Sequence, residues 1–123
     1  MPSPEQITTA VDAYARSFGA GDKELFLSAL SDGVTQIDPV GSTPNHGKEA
    51  LAAFWDGLFE LCDTVALEAR DVFVAGDEAA MLFTVVQGRK DGQQLTFEGV
   101  DVFQVDDDGK IVLIKGFGRL RQG

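Results

Sequence analysis

Cysteine is nearly absent from this chain. Cys62 is the only one, which excludes an internal disulfide and a cysteine-based metal cluster and leaves a small reduced filler of the third helix as its reading. Basic residues are scarce as well: 10 Lys and Arg stand against 20 Asp and Glu, for a formal net charge of -10. That balance repels phosphate backbones and anionic lipid heads, so neither nucleic acid nor a membrane is expected as a partner. No apolar run approaches the roughly 20 residues that span a bilayer. Met1 to Gln6 has no basic region followed by an apolar stretch, and a soluble, cytoplasmic protein is expected. His46 is the sole histidine and Tyr14 the sole tyrosine. His46 lies in a Pro/Asn/Gly loop without a matching partner and reads as a solvated loop residue. Asp106, Asp107 and Asp108 before Gly109 lack the downstream spacing of a calcium loop and read as a hairpin turn, so no metal or organic cofactor is implied.

What is present suits one compact domain over residues 1–123, with 44% hydrophobic residues to build a core. Ser3, Pro4 and Gln6 make an N-cap, a first-turn proline and a capping-box partner. The stripe Ile7, Val11, Tyr14, Phe18 follows at helical spacing. Asp22 caps a second helix carrying Leu25, Phe26, Ala29 and Leu30, which is expected to end at Ser31, Asp32 and Gly33. Val34 to Asp38 reads as extended, Gly41 to Gly47 as a loop, and about Lys48 to Leu61 as a third helix with the stripe Leu51, Phe54, Trp55, Leu58. Turns at Gly76 with Asp77, Asp91 with Gly92, and Asp106 to Gly109 then separate strands near 64–75, 78–88, 94–105 and 111–119.

Helices followed by a strand meander predict an α+β domain in which three N-terminal helices pack on one face of a curved, mainly antiparallel sheet. Several strands are apolar on both sides, as where Ala79, Met81, Phe83 and Val85 alternate with Ala80, Leu82, Thr84 and Val86. Three helices cannot cover both faces. A homodimer through the outer sheet face is therefore expected.

One residue breaks the pattern. Read at the two-residue period of a strand, one face runs Leu95, Phe97, Gly99, Asp101, Phe103, Val105, while the polar residues Thr96, Glu98 and Gln104 fall on the other. Asp101 is a carboxyl on a core face. Burying it ionised and unpaired costs several kcal/mol, and protonating an Asp of ordinary pKa at neutral pH costs about 4 kcal/mol. With no cation opposite, such a group becomes a neutral hydrogen-bond donor in an apolar setting. Tyr14 on the first helix and Asp38 at the end of the first strand are the other two chemically capable groups. Each alone has an ordinary explanation: core filler for Tyr14, a turn residue for Asp38, a satisfied structural acid for Asp101.

Together, Tyr14, Ala20-Gly21-Asp22, the segment Asp38 to Ser42, Pro44, Gly47, Phe54 and the pair Asp101 and Phe103 resemble a ketosteroid isomerase of the NTF2-like, SnoaL-like superfamily. The resemblance implies a cystatin-like cone of curved sheet and three helices around a pocket. It implies Asp38 as the general base, and Tyr14 with a protonated Asp101 as the oxyanion hole for a dienolate. The substrate it implies is a 3-ketosteroid, a small apolar ketone, in a pocket lined by Phe18, Phe54, Trp55, Phe83, Val85, Phe103, Ile114 and Gly118. Three positions depart from the family. Trp55 stands where a second tyrosine often supports the first, Gly118 falls where a large pocket residue is usual, and Gln36 brings an amide to an apolar position. Phe117 would compensate for Gly118 only if a bulge reversed the strand parity. Two other functions fit the same scaffold: another cone-fold enzyme, such as a cyclase, epoxide hydrolase or dehydratase, and a non-catalytic small-molecule-binding module.

Overall fold

The computed structural model of the protein describes residues 1–121. Helix α1 (Pro4–Ala20) starts on a complete capping box: Gln6 N–H donates to Ser3 Oγ at 3.1 Å, and Ser3 N–H donates to Gln6 Oε1 at 2.8 Å. Such caps are worth about 1 kcal/mol because they satisfy amides that the helix leaves open. Gly21 closes the helix at φ 62°, a left-handed conformation that favours glycine. Helix α2 (Lys23–Ser28) is capped by Asp22, whose Oδ1 accepts from Leu25 N–H at 3.0 Å.

Strand β1 (Leu30–Ile37) begins where the sequence predicts helix. The second helix stops at Ser28 because Leu30, 1% exposed, pairs with Ile111 in the sheet. Ser31, Asp32 and Gly33 fall in the register shift between Leu30 and Thr35 rather than in a helix-ending turn. The expected loop also contains a short strand, β2 (Asn45–His46), antiparallel to Thr35 and Gln36. Two side-chain contacts secure it: Asn45 Nδ2 donates to Gln36 Oε1 at 3.0 Å, and Thr35 Oγ1 lies 3.0 Å from His46 Nδ1.

Helix α3 (Gly47–Leu61) is followed directly by β3 (Cys62–Ala75), β4 (Glu78–Arg89), β5 (Gln94–Val105) and β6 (Ile111–Leu120). Cys62 is buried but opens β3, so it fills the core from a strand and not from the third helix. The six strands form one curved sheet in the order β2-β1-β6-β5-β4-β3. The sheet is mixed, which corrects the expectation of a mainly antiparallel one in one respect: β1 returns parallel to β6, matching Gln36 with Ile114 and Ile37 with Lys115. That crossing brings the end of β1 beside the middle of β6. No helix is long and apolar enough to cross a membrane among the described residues.

The helices cover the sheet face carrying Val65, Met81, Phe103 and Ile114, and these residues form one core with Ile7, Val11, Phe26 and Leu51. The opposite face leaves Phe73 at 58% and Phe117 at 48% exposure.

Candidate active site

An apolar cavity of about 400 Å³ lies between the helices and the inner sheet face. Tyr14, Asp38 and Asp101 all line it. Tyr14 arrives from α1, its ring held edge-on by Phe18 at 5.2 Å and Phe103 at 5.1 Å between centroids. These contacts fix a large side chain whose only polar atom is its hydroxyl. Asp101 arrives from β5, on the parity its sequence position requires, and is 3% exposed. Its cross-strand partners are Met81 on β4 and Gly116 on β6. Asp38 follows the last residue of β1, in a cis peptide with Pro39. Val40 N–H donates to the Gly116 carbonyl at 2.9 Å, tying the segment after Asp38 to β6.

Gly116 is the point on which the two acids meet. A β-carbon there would lie 2.6 Å from Asp38 Cγ and 3.2 Å from Asp101 Oδ1. The missing side chain is the room that Asp38 occupies, so the two carboxyls flank one strand position from neighbouring strands. Like charges this close cannot both ionise freely.

Burial decides which one yields. Asp101 is pushed up to about 8, first by loss of water and then by the negative charge of Asp38. Asp38 is raised by burial. As a residue Asp38 is exposed, yet its carboxyl stands against Gly116 and the residue lines the cavity. The phenol of Tyr14 is held well above its ordinary value, by burial first and then by Asp101 and Asp38. At neutral pH this arrangement favours a protonated Asp101, a neutral phenol and an Asp38 that ionises before its neighbour. Chemically, that is two donors and one acceptor of a proton around a dry space.

Of the other residues expected to line the pocket, Phe18, Phe54, Phe83, Val85 and Gly118 do so. Trp55, Phe103 and Ile114 instead stand behind the wall, at 5%, 0% and 0% exposure. Trp55 stacks on Phe18 at 5.2 Å and packs on Phe26 at 4.9 Å and Phe59 at 4.6 Å, so it buttresses the aromatic layer and makes no ring contact with Tyr14. Phe117 stays on the outer face opposite Val100, without the bulge that would turn it inward. Gly118 faces Gly99 across the strands, and a β-carbon on Gly118 would meet nothing nearer than Glu98 O at 3.6 Å. The cavity is therefore wider there than a side chain would leave it.

Phe97, Gln87, Leu58, Val65, Leu67 and Leu120 also line the cavity, beyond the residues expected from the sequence. Phe97 shares the parity of Asp101, and Gln87 that of Phe83 and Val85, so the signal was there to extend. Gln36 is 1% exposed with its Oε1 bonded to Asn45, and its Nε2 is the only fully enclosed side-chain polar atom without a partner among the described residues. It does not line the cavity.

A helix-capped curved sheet around an apolar cavity, with Tyr14, Asp38 and Asp101 on its wall, defines the class of fold. More particularly, the chain belongs to the SnoaL-like domain family, whose model matches residues 11–114. Its fold is that of the NTF2-like superfamily, on which it is similar to ketosteroid isomerases. It is 28% identical over 112 residues to a steroid Δ-isomerase of Nocardioides simplex, covering 91% of this chain and 89% of that one. It superposes on a Δ5-3-ketosteroid isomerase from a Mycobacterium species with a TM-score of 0.84 at 25% identity, covering 94% and 98% of the two chains. A Mycobacterium tuberculosis protein solved with estradiol-17beta-hemisuccinate gives the same TM-score, 0.84, at 24% identity, covering 91% and 92%.

Proposed function

We propose that the protein is a steroid Δ-isomerase that moves the double bond of a β,γ-unsaturated 3-ketosteroid into conjugation. Fold alone would not carry this reading, since one scaffold hosts many activities. The observation that carries it is the meeting of Asp38 and Asp101 over Gly116, beneath the same cavity that Tyr14 lines. Ionised Asp38 takes a proton from the carbon between the ketone and the alkene. The C–H electron pair forms a double bond to the carbonyl carbon, the carbonyl π electrons move to its oxygen, and conjugation of the new double bond with the alkene makes the product a dienolate. Tyr14 and protonated Asp101 donate hydrogen bonds to that oxygen, where charge develops in the transition state. Asp38 then returns the same proton two carbons further along, so no cofactor and no net proton are needed.

The apolar walls at Phe18, Phe54, Phe83 and Val85 suit a fused-ring hydrocarbon, and steroid ligation and isomerisation in the similar proteins support the same substrate class. The exposed outer face, with Phe73, Leu82 and Phe117, supports a homodimer through that face. Sedimentation of the purified chain at micromolar concentration is expected to give twice the monomer mass.

The test of the activity is direct. Folded protein mixed with a β,γ-unsaturated 3-ketosteroid is expected to produce the conjugated enone, followed by its ultraviolet absorbance. No turnover above buffer would end the isomerase reading.

A further inference from the structure

The cavity is polar at two ends, and only one of them serves the proton transfer. Met81 is the cross-strand partner of Asp101, and Gln87 lies six residues further along β4. At about 3.3 Å per residue that is about 20 Å of strand. Phe83 and Val85 line the cavity between them, and Gln87 lines it beyond, opposite Val65 on β3.

The Gln87 carboxamide is oriented by its neighbour. Arg89 Nε and Nη2 both donate to Gln87 Oε1, at 3.1 and 2.9 Å. With its acceptor oxygen taken by a guanidinium, the amide has only its NH2 group left to offer. No acidic side chain other than Asp38 and Asp101 lines the cavity among the described residues. Arg119 also reaches the lining, but its guanidinium is engaged by Glu98 on the outer face at 2.8 Å, so Gln87 is the free donor.

We infer that Gln87 is a specificity-determining residue which hydrogen-bonds an acceptor oxygen at the end of the substrate remote from the reacting ketone, with Arg89 as the residue that positions it. The inference rests on the isomerase reading for the orientation of the substrate, ketone toward Asp101 and far ring toward Gln87. A rod-like ketosteroid oxygenated at both ends satisfies both sets of donors. One bearing only alkyl groups on its far ring leaves the Gln87 NH2 group to water.

The experiment compares three β,γ-unsaturated 3-ketosteroids that share their reacting rings and carry, on the far ring, an alkyl group, a ketone or a carboxylate chain. The wild type is expected to favour the ketone over the alkyl substrate by about three- to tenfold in kcat/KM, the range of a neutral hydrogen bond. Gln87→Leu is expected to bring that ratio close to one, and Arg89→Met to reduce it by about half. Gln87→Glu, which keeps a partner for Arg89 and loses the donor, is expected to disfavour the carboxylate substrate most. A wild-type ratio near one, or an unchanged ratio in Gln87→Leu, would overturn the inference.

If none of the substrates turns over, the isomerase reading fails separately. The Gln87 assignment is then decided by the dissociation constants of a phenolic steroid with and without a far-ring ketone, wild type against Gln87→Leu. Preference for the ketone that Gln87→Leu removes supports it, and equal binding rejects it.

Discussion

Asp38 and Asp101 flank the same glycine from different parts of the sheet. One follows the last residue of β1, at an exposed position, and the other sits within β5 between strands on both sides. Both are raised by loss of water, but Asp101 carries the added charge of its neighbour and reaches about 8. In the proposed mechanism, two chemically identical side chains are a base and a donor by position alone. A strand end gives reach and some solvation, and mid-strand gives dryness.

Changes at these positions test the contrast, and the largest effect is expected at the base. Asp38→Asn removes the proton acceptor and is expected to lower kcat by about two to four powers of ten, measured by enone absorbance. Tyr14→Phe or Asp101→Leu removes one donor to the dienolate and is expected to cost about a hundred- to a thousandfold in kcat. Asp101→Asn keeps a neutral donor, so its loss is expected to be smaller than that of Asp101→Leu. Equal losses in the two variants would mean that Asp101 does not work as a neutral donor.

Gly116→Ala puts a methyl group where the Asp38 carboxyl lies. The carboxyl must move, and a base displaced by about 1 Å is expected to lose about ten- to a hundredfold in kcat with folding intact by circular dichroism. An unchanged rate would show that Asp38 does not act from its place over Gly116.

The last contrast is in stability. A carboxyl whose folded pKa is raised binds its proton more tightly folded than unfolded, so its contribution is full below the unfolded value and is lost as pH rises through the folded one. For Asp101 that window runs from its ordinary value of 3.8 to about 8. Within it, unfolding free energy is expected to fall by up to roughly 1.4 kcal/mol per pH unit. Asp38, also raised by burial, adds in the same direction. Denaturant midpoints are expected to fall less with rising pH in Asp101→Asn, which has no proton to lose at this position, than in the wild type. The rate of the wild type is expected to rise as Asp38 ionises and to fall near pH 8 as Asp101 does.

Much of this was legible in the chain. The period of two placed Asp101 on the core face, because a strand interior between two neighbours has little freedom to deviate from its parity. The capping box and the apolar stripe fixed α1 and hence Tyr14. Depth was not legible. Phe103 and Ile114 share the parity of the pocket wall, yet they lie at its closed side under Tyr14 and the helices, and parity does not distinguish lining from backing. The parallel pairing of β1 with β6 and the short β2 depend on contacts between distant segments, which local pattern does not encode. Gly116 read as one more strand glycine. Its meaning is the carboxyl that stands over it, supplied by a strand some eighty residues earlier in the chain.

The protonation of Asp101 carries the account. Infrared difference spectra of carboxyl-labelled protein, wild type against Asp101→Asn, read it without substrate. A protonated-carboxyl band at neutral pH that fades with a midpoint near pH 8 is the expected result. An ionised Asp101 at neutral pH, in folded protein, would contradict it.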